Sequence, residues 1–211
     1  VDCALWDLEA QLTRRSVADL AGIVTPSEII TAVTISLDTT ERMAQAAARL
    51  DAAPLLKVKV DASEPLAQLR AVRAAAPAAR LIVDPNESWS PALLERLLPD
   101  IAALGADLIE QPVPAADDAA LEHIASPVPI CADESEHTSA DLERIARRYQ
   151  AVNIKLDKAG GLTEALAMRA GAEALGLTIM VGCMVCTSLA IAPALLLTNG
   201  AGFADLDGPW W

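Results

Sequence analysis

LLKVKV at residues 55–60 leads through a segment of helical periodicity, Glu64–Ala76, to LIVD at residues 81–84. The two flanking runs are short and mostly apolar, as expected of strands that are covered by helices. A strand, a helix and a second strand in this order predict a parallel pair joined by a right-handed crossover. This unit is typical of an α/β fold.

The same alternation continues along the chain in both directions. Runs of strand character lie at Ala32–Leu37, Leu55–Val60, Leu81–Val83, Ala106–Ile109, Val128–Cys131, Ala151–Leu156, Thr178–Val181 and Phe203–Leu206. Helical segments lie near Cys3–Leu12 and at Thr40–Leu50, Glu64–Ala76, Ala92–Leu104, Ala119–Ile124, Ala140–Tyr149, Thr163–Leu175 and Ser188–Leu197. Eight strands at a regular repeat favour a (β/α)8-type TIM barrel, and an open doubly wound sheet is the alternative.

Helix boundaries carry residues that favour caps. We expect Ser63, Ser90 and Ser139 to cap helix starts through their hydroxyl groups, with Pro91 in the first turn after Ser90. Gly105 lies at the end of a helical segment, where a left-handed residue commonly follows the last turn. These signals support the helix assignments independently of the hydrophobic pattern.

The composition and net charge of the chain argue against some classes of partner and indicate where the protein is found. The 211 residues are 53% hydrophobic with a net charge of −13, which argues against nucleic acid and anionic membranes as partners. The four cysteines are too few for a disulfide framework and indicate a reducing compartment. The chain opens without a basic, apolar signal sequence, and its most apolar stretch, Leu189–Leu197, is too short to span a bilayer. We expect a soluble, cytoplasmic protein, with homo-oligomerisation left open.

Polar side chains lie repeatedly at the carboxyl ends of the predicted strands. They are Lys57 and Lys59, Asp84 and Asn86, Glu110, Asp133 and Glu134, Lys155, and Asp205 and Asp207. In a parallel barrel these strand ends meet on one face, where active sites form. Any single member of the set has an ordinary explanation, such as a solvated strand edge or a turn residue. The order of lysine pair, Asp, Glu, Asp and lysine on successive strands favours a site.

Three carboxylates from successive strands predict a cation site. Close carboxylates repel one another and raise one another's pKa, and a divalent cation removes that conflict. Hard oxygen ligands suit Mg²⁺, so we expect Asp84, Glu110 and Asp133 to bind one Mg²⁺ ion. Lys59 and Lys155 then flank the cation from opposite sides. We expect the nearby cation to lower the pKa of a lysine enough for it to act as a base.

The whole series resembles the muconate-lactonizing branch of the enolase superfamily, in which a Lys-x-Lys motif faces a lysine on strand six. Ala4-Leu5-Trp6-Asp7-Leu8 is similar to the helix that leads into that barrel. The Asp205-x-Asp207 ending resembles the dipeptide epimerases of the L-Ala-D/L-Glu epimerase group. The resemblance implies a modified (β/α)7β barrel, with residues 1–30 as the lead-in helix and connection and residues 31–211 as the eight strands. It also implies that the family's N-terminal α+β capping domain and C-terminal tail are absent from the chain.

The resemblance further implies an isomerase mechanism on a small-molecule dipeptide. Lys59 and Lys155 move the α-proton between opposite faces of the substrate through an enediolate intermediate. Lys57 lies beside the carboxylate of the substrate, and Asp205 and Asp207 bind its ammonium group. Asn86 and Glu134 contact the metal ligands rather than the metal itself and help to orient them.

Three alternatives stay open from the sequence. The same lysines and metal serve o-succinylbenzoate synthase or a muconate-type cycloisomerase, although neither substrate has an ammonium group for Asp205 and Asp207. A truncated, inactive barrel that acts only as a scaffold is a further alternative. Cys183-x-x-Cys186 also fits a redox pair, but a single C-x-x-C is a weak signal and two small residues lining the barrel mouth are the simpler explanation.

Overall fold

The computed structural model describes residues 1–210 of the chain. Eight strands form one parallel sheet in the order of the sequence, so each strand pairs with the one before it. They are β1 Val33–Ile35, β2 Leu55–Lys59, β3 Arg80–Asp84, β4 Leu108–Glu110, β5 Ile130–Ala132, β6 Ala151–Lys155, β7 Thr178–Gly182 and β8 Phe203–Asp205. The structure confirms the predicted TIM-barrel architecture.

Hydrogen bonds between the first and last strands close the sheet into a barrel. The backbone N–H of Ala32 donates to the carbonyl of Ala204 at 2.7 Å. The N–H of Leu206 donates to the Thr31 hydroxyl at 2.8 Å. Because the order is β1 to β8 around the barrel, β2 and β6 lie on opposite sides.

Helices cover the outside of the barrel. They are α1 Asp2–Thr13, α2 Val17–Ala21, α3 Thr40–Arg49, α4 Pro65–Ala75, α5 Pro91–Ala103, α6 Leu142–Ile145, α7 Leu156–Ala159, α8 Leu162–Ala174 and α9 Ser188–Ala194. The sequence pattern did not predict the short helices α2 and α7. Within the described residues, no helix is both long enough and apolar enough to cross a membrane.

Two predicted helices form differently from the sequence pattern. Residues predicted as Ala119–Ile124 form a 3-10 helix, Asp118–His123, and Ala140–Tyr149 divides into a 3-10 turn, Ser139–Asp141, and the short α6. The buried Asp118 carboxylate accepts from Arg144 and Arg148, so these contacts join the two segments.

Two of the three predicted serine caps are absent from the structure, so those two predictions were wrong. Ser90 caps α5 as expected, with its hydroxyl accepting from Leu93 N–H. Ser63 instead donates its N–H and its hydroxyl to Asp61, so it serves a turn before α4. Ser139 donates its N–H to Glu164, and the capping box belongs to Thr138. Asp and Glu acceptors therefore compete with helix starts for these hydroxyls and amides.

The core has two parts, and the inner part lies directly below the polar residues at the strand ends. One part fills the space between strands and helices. The other is a layer inside the barrel with one residue from each strand region, namely Ala32, Leu55, Ile82, Leu108, Cys131, Ala151, Met180 and Phe203. Because side chains alternate along a strand, the next inward residue lies two positions later. Those positions are Thr34, Lys57, Asp84, Glu110, Asp133, Asn153, Gly182 and Asp205.

Candidate active site

Three carboxylates lie directly above the apolar layer inside the barrel. Asp84 and Glu110 end β3 and β4 and Asp133 follows β5, all at the inward position, and they are 1%, 0% and 4% exposed. Carboxylates this deeply buried require opposite charges or hydrogen bonds. The structure therefore brings together the three residues that the sequence predicts as metal ligands.

Lys57 supplies much of the compensating charge. Its Nζ lies 2.8 Å from Glu110 Oε2, 3.0 Å from Asp84 Oδ2 and 2.8 Å from Asp205 Oδ2. Burial alone lowers the pKa of Lys57, but these carboxylates outweigh burial and hold the pKa well above its ordinary value. One ammonium thus links the strand ends of β3, β4 and β8.

The donor set fits a divalent cation in its chemistry. Within residues 1–210, no three carboxylate, thiol or imidazole groups form a ready-made metal site, and Lys57 Nζ lies within 3.0 Å of both Asp84 and Glu110. Glu110 Oε2 is buried and accepts no hydrogen bond of good geometry. Burial, together with Asp84 and Asp133, raises the pKa of Glu110 to about 8 against the opposing effect of the lysines. A hard cation would satisfy this oxygen and relieve the repulsion.

Two further lysines approach the carboxylates from opposite sides of the barrel. Lys59, on β2, lies 2.6 Å from Asp84 Oδ2 and its side chain is 30% exposed. Lys155, on β6, lies 2.6 Å from Asp133 Oδ2 and its side chain is 8% exposed. The predicted opposition of the two ammonium groups therefore agrees with the strand order.

The expected lowering of the lysine pKa does not arise from the protein groups themselves. Burial lowers the pKa of Lys155, but Asp133 and Glu110 outweigh it, and the pKa lies above its ordinary value. The nearest charges of the chain itself are carboxylates. The lowered pKa that we expect beside a bound cation stays a prediction.

Asp205 ends β8 and Asp207 lies just after it, but their surroundings differ. Asp205 Oδ2 accepts from Lys57, while its Oδ1 is buried without a partner. Asp207 Oδ2 accepts the backbone N–H of Thr34 at 2.8 Å, which joins the ends of β8 and β1. The pair therefore keeps acceptor capacity beyond its contacts with Lys57 and Thr34.

Asn86 and Glu134 connect the carboxylates to the strand-end loops. Asn86 donates its N–H to Asp84 Oδ1 at 2.9 Å and its side-chain amide to Glu134 at 3.3 Å, and its carbonyl oxygen accepts from Lys59. Burial, then the charge of Asp133, raises the pKa of Glu134. These contacts agree with the predicted supporting positions.

Sequence reasoning missed several residues that contact the proposed ligands. Asn153 donates to Glu110 Oε1 at 2.8 Å, and Lys158 donates to Asp133 Oδ1 at 2.8 Å and to Glu136 at 2.6 Å. Asn153 could have been found, because it is the inward residue two positions before Lys155. Lys158 follows β6 in a short helix, where no strand pattern applies.

A pocket of about 700 Å³ opens above this cluster. It is lined by both catalytic lysine candidates, by Asp205 and Asp207, and by His137 and Cys183. The volume is that of a small-molecule site.

All four cysteines are free thiols. Burial, together with the nearby Asp205, raises the pKa of Cys183 to about 11, which disfavours a reactive thiolate.

The sequence matches the family described as enolase C-terminal domain-like over residues 40–206. Among curated proteins, it is 52% identical to the L-Ala-D/L-Glu epimerase of Escherichia coli (strain K12) over its whole length and 66% of that relative. It is 47% identical to the N-acetyl-D-glutamate racemase of Pseudoalteromonas sp. over 99% of the chain and 66% of the relative. The chain spans about two thirds of the length of these relatives.

Solved structures give the same picture. An enolase family member from Agrobacterium tumefaciens, with homology to dipeptide epimerases and with bound sodium and L-Ala-L-Glu, superposes with a TM-score of 0.96 at 53% identity, over 99% of this chain and 64% of that chain. The dipeptide epimerase from Cytophaga hutchinsonii, in complex with Mg and D-Ala-L-Val, gives 0.93 at 29% identity, over 98% of this chain and 60% of that chain.

Proposed function

The chain belongs to the enolase C-terminal domain-like family, and from this premise we propose that its protein is an isomerase that epimerises dipeptides such as L-Ala-D/L-Glu. The observation that carries the proposal is the pair of ammonium groups, Lys59 and Lys155, on opposite strands around buried carboxylates. The epimerase and racemase activities of the two curated relatives support the reaction class. Residues 1–30 are proposed as the lead-in segment and residues 31–211 as the barrel domain.

Asp84, Glu110 and Asp133 are the residues that would hold one Mg²⁺ ion. The buried Glu110 Oε2, which contacts Lys57 without a hydrogen bond of good geometry, and the mutual repulsion of the three acids support this assignment. When bound, Mg²⁺ supplies a Lewis acid that stabilises negative charge on the substrate carboxylate. Lys57, which already contacts two of the acids, is proposed to lie beside that carboxylate.

The two lysines carry the proton transfer. One lysine, as the neutral amine, takes the α-proton from one face, and the electron pair of the broken C–H bond moves into the substrate carboxylate as an enediolate. The other lysine, as the ammonium, donates its proton to the α-carbon from the opposite face, and a new C–H bond forms. For the other epimer, Lys59 and Lys155 exchange roles.

The acids at the end of β8 supply the contact to the dipeptide ammonium group. Asp205 Oδ1 is buried without a partner, so it lacks a donor that an ammonium would provide. Asp207 keeps one oxygen beyond its bond to Thr34. A charge-assisted contact of this kind favours a substrate with a free amino group.

Deuterium exchange tests the proposal directly. The full-length protein is incubated with Mg²⁺ and a panel of L,L and L,D dipeptides in D₂O, and α-proton loss is followed by NMR. We expect exchange from both epimers. Lys59→Ala and Lys155→Ala are each expected to abolish exchange from one epimer while the other survives, since each lysine serves one face. Arg70→Ala, which removes an exposed ion pair to Asp100, is the control and should exchange normally.

The same experiment separates the alternatives. Because one relative is an N-acetyl-D-glutamate racemase, N-acetyl-glutamate belongs in the panel as a substrate without an ammonium group. Exchange of N-acetyl-glutamate but of no dipeptide would replace the dipeptide proposal. Product formation from o-succinylbenzoate synthase or cycloisomerase substrates would do the same. A protein that binds no Mg²⁺ by calorimetry and exchanges no substrate would be a scaffold.

A further inference from the structure

Gln111 occupies an unusual position among the strand ends that carry the three acids. It directly follows Glu110, the last residue of β4, and is fully buried. Its φ angle is 33°, in the left-handed region that non-glycine residues rarely adopt. A residue held in this conformation indicates that surrounding contacts determine its geometry.

The side-chain oxygen of Gln111 binds the loop that carries the next acid. Oε1 accepts the backbone N–H of Asp133 at 2.8 Å and that of Ser135 at 3.1 Å. Two backbone donors on one oxygen fix the path of the chain from Asp133 to Ser135. The direction of the Asp133 carboxylate, which accepts from Lys155, follows from this path.

The side-chain nitrogen of Gln111 is itself held in place. Nε2 contacts three acceptors, the carbonyl of Val113 at 2.9 Å, Ser135 Oγ at 2.8 Å and Tyr149 Oη at 3.0 Å. Tyr149 is anchored in turn, because its hydroxyl donates to the buried Asp118 at 3.2 Å. The amide cannot rotate without breaking contacts on both of its ends.

The backbone of Gln111 forms hydrogen bonds with β5 and with the loop that follows β3. Its N–H donates to the carbonyl of Cys131 at 2.8 Å, and its carbonyl accepts from the N–H of Glu87 at 2.8 Å. Glu87 lies in the loop that follows Asp84 on β3. One residue therefore touches the ends of β3, β4 and β5, which carry Asp84, Glu110 and Asp133.

We propose that Gln111 is a positioning residue for the metal site, which holds the Asp133 loop in register with Asp84 and Glu110 through its Oε1 atom. This inference rests on the proposed metal ligands but adds a residue that touches neither metal nor substrate. Only a primary amide offers both acceptor lone pairs and donors at this place. A methionine fills a similar volume but leaves the two loop amides without an acceptor.

The first test compares Gln111→Met with Tyr149→Phe. Both substitutions remove hydrogen bonds from the same buried network, so both are expected to lower the melting temperature. Only Gln111→Met removes the acceptor for Asp133 N–H. We expect Gln111→Met to weaken Mg²⁺ binding, measured by calorimetry, by about 10- to 100-fold, the range for residues that orient metal ligands. Tyr149→Phe should leave the Mg²⁺ affinity within about twofold of wild type. Equal Mg²⁺ affinity of Gln111→Met and wild type would overturn the proposal.

Amide hydrogen exchange on the metal-free protein gives a readout that does not depend on the proposed function. The N–H groups of Asp133 and Ser135 are expected to be protected in wild type and in Tyr149→Phe, and to exchange fast in Gln111→Met. Gln111→Glu keeps an acceptor oxygen for the two loop amides but loses the Nε2 donors, so both amides should exchange more slowly than in Gln111→Met and faster than in wild type. Fast exchange of these amides in wild type or in Tyr149→Phe, or equal rates in Gln111→Glu and Gln111→Met, contradicts the proposal. Protected amides in a wild type that binds no Mg²⁺ would instead refute only the proposed metal site.

Discussion

The two sides of the barrel mouth are built differently. The strand ends of β3, β4 and β5, residues 84–87, 110–113 and 133–136, form a braced rim, in which Asp84, Glu110 and Asp133 are almost completely buried and Gln111 joins the three loops. The strand ends of β7 and β8, residues 183–187 and 205–208, form a second rim, which we call the open rim because residues 183–187 are partly or largely exposed, although residues 205–208 are buried. There Met184 and Val185 are 54% and 74% exposed.

The difference separates two tasks within one site. The braced rim holds charges that would repel one another if they moved, so its hydrogen bonds keep them in one arrangement. In the open rim, the buried Asp205 and Asp207 line the same pocket as the exposed Met184 and Val185. We infer that metal binding depends on the braced rim and that substrate selection depends on the open rim.

Removing charge from the braced rim should have the largest effect. Glu110→Gln keeps the shape and still accepts from Asn153, but it loses the anionic oxygen that lies beside Lys57. We expect the Mg²⁺ dissociation constant from calorimetry to rise by more than the roughly 100-fold upper range for supporting residues. Dipeptide exchange should fall below detection. An unchanged Mg²⁺ affinity would remove Glu110 from the ligand set.

Removing charge from the open rim should affect the substrate without affecting the metal. Asp207→Asn keeps an acceptor for Thr34 N–H and loses only the negative charge. A hydrogen bond to a charged group contributes about 1.5–3 kcal/mol, so KM for a dipeptide should rise roughly 10- to 100-fold. Mg²⁺ affinity should stay unchanged. If KM is unaffected, or if KM for N-acetyl-glutamate rises equally, Asp207 does not bind an ammonium group.

A matched pair of glycines sharpens the same contrast. A Cβ at Gly182 would lie 2.4 Å from Asn153 Oδ1, so Gly182→Ala pushes Asn153 away from Glu110. A Cβ at Gly208 would lie 2.4 Å from the carbonyl of Met184, so Gly208→Ala displaces the open rim. We expect about tenfold weaker Mg²⁺ binding for Gly182→Ala, at the lower end of the range for supporting groups. For Gly208→Ala we expect a higher dipeptide KM and unchanged Mg²⁺ binding. The reverse pattern would contradict the division between the rims.

The contrast also shows which features the sequence could predict. The eight strands were predicted within about two residues of each end, because buried parallel strands give continuous apolar runs. Asp84, Glu110, Asp133 and the lysines were brought together as expected, since strand order fixes which ends meet. Their roles stay predictions until they are tested.

Contacts between loops were not predictable in the same way. Gln111 binds Asp133 and Tyr149, which lie 22 and 38 positions away, and no local pattern marks such partners. The raised pKa of Lys155 could not be predicted from the sequence either, because it depends on how closely Asp133 approaches the ammonium group. The hydrophobic periodicity and the order of the strands therefore predict which acids and lysines meet at the barrel mouth. The hydrogen bonds that hold these residues in place depend on side-chain contacts between loops.

The smallest effect we expect concerns Cys131, which lies in the apolar layer beneath the braced rim. Burial, together with Glu110 and Asp133, raises the pKa of Cys131 well above its ordinary value. Above about pH 9 the unfolded chain therefore releases a proton that the folded chain keeps, and stability falls as pH rises, by at most about 1.4 kcal/mol per pH unit. Cys131→Ala should make the fall of the urea unfolding free energy between pH 9 and pH 10.5 shallower. Ile82→Val, in the same layer, should lower stability by about 0.5–1.5 kcal/mol and keep the wild-type slope. Equal slopes in all three proteins would show that Cys131 does not hold its proton in the folded state.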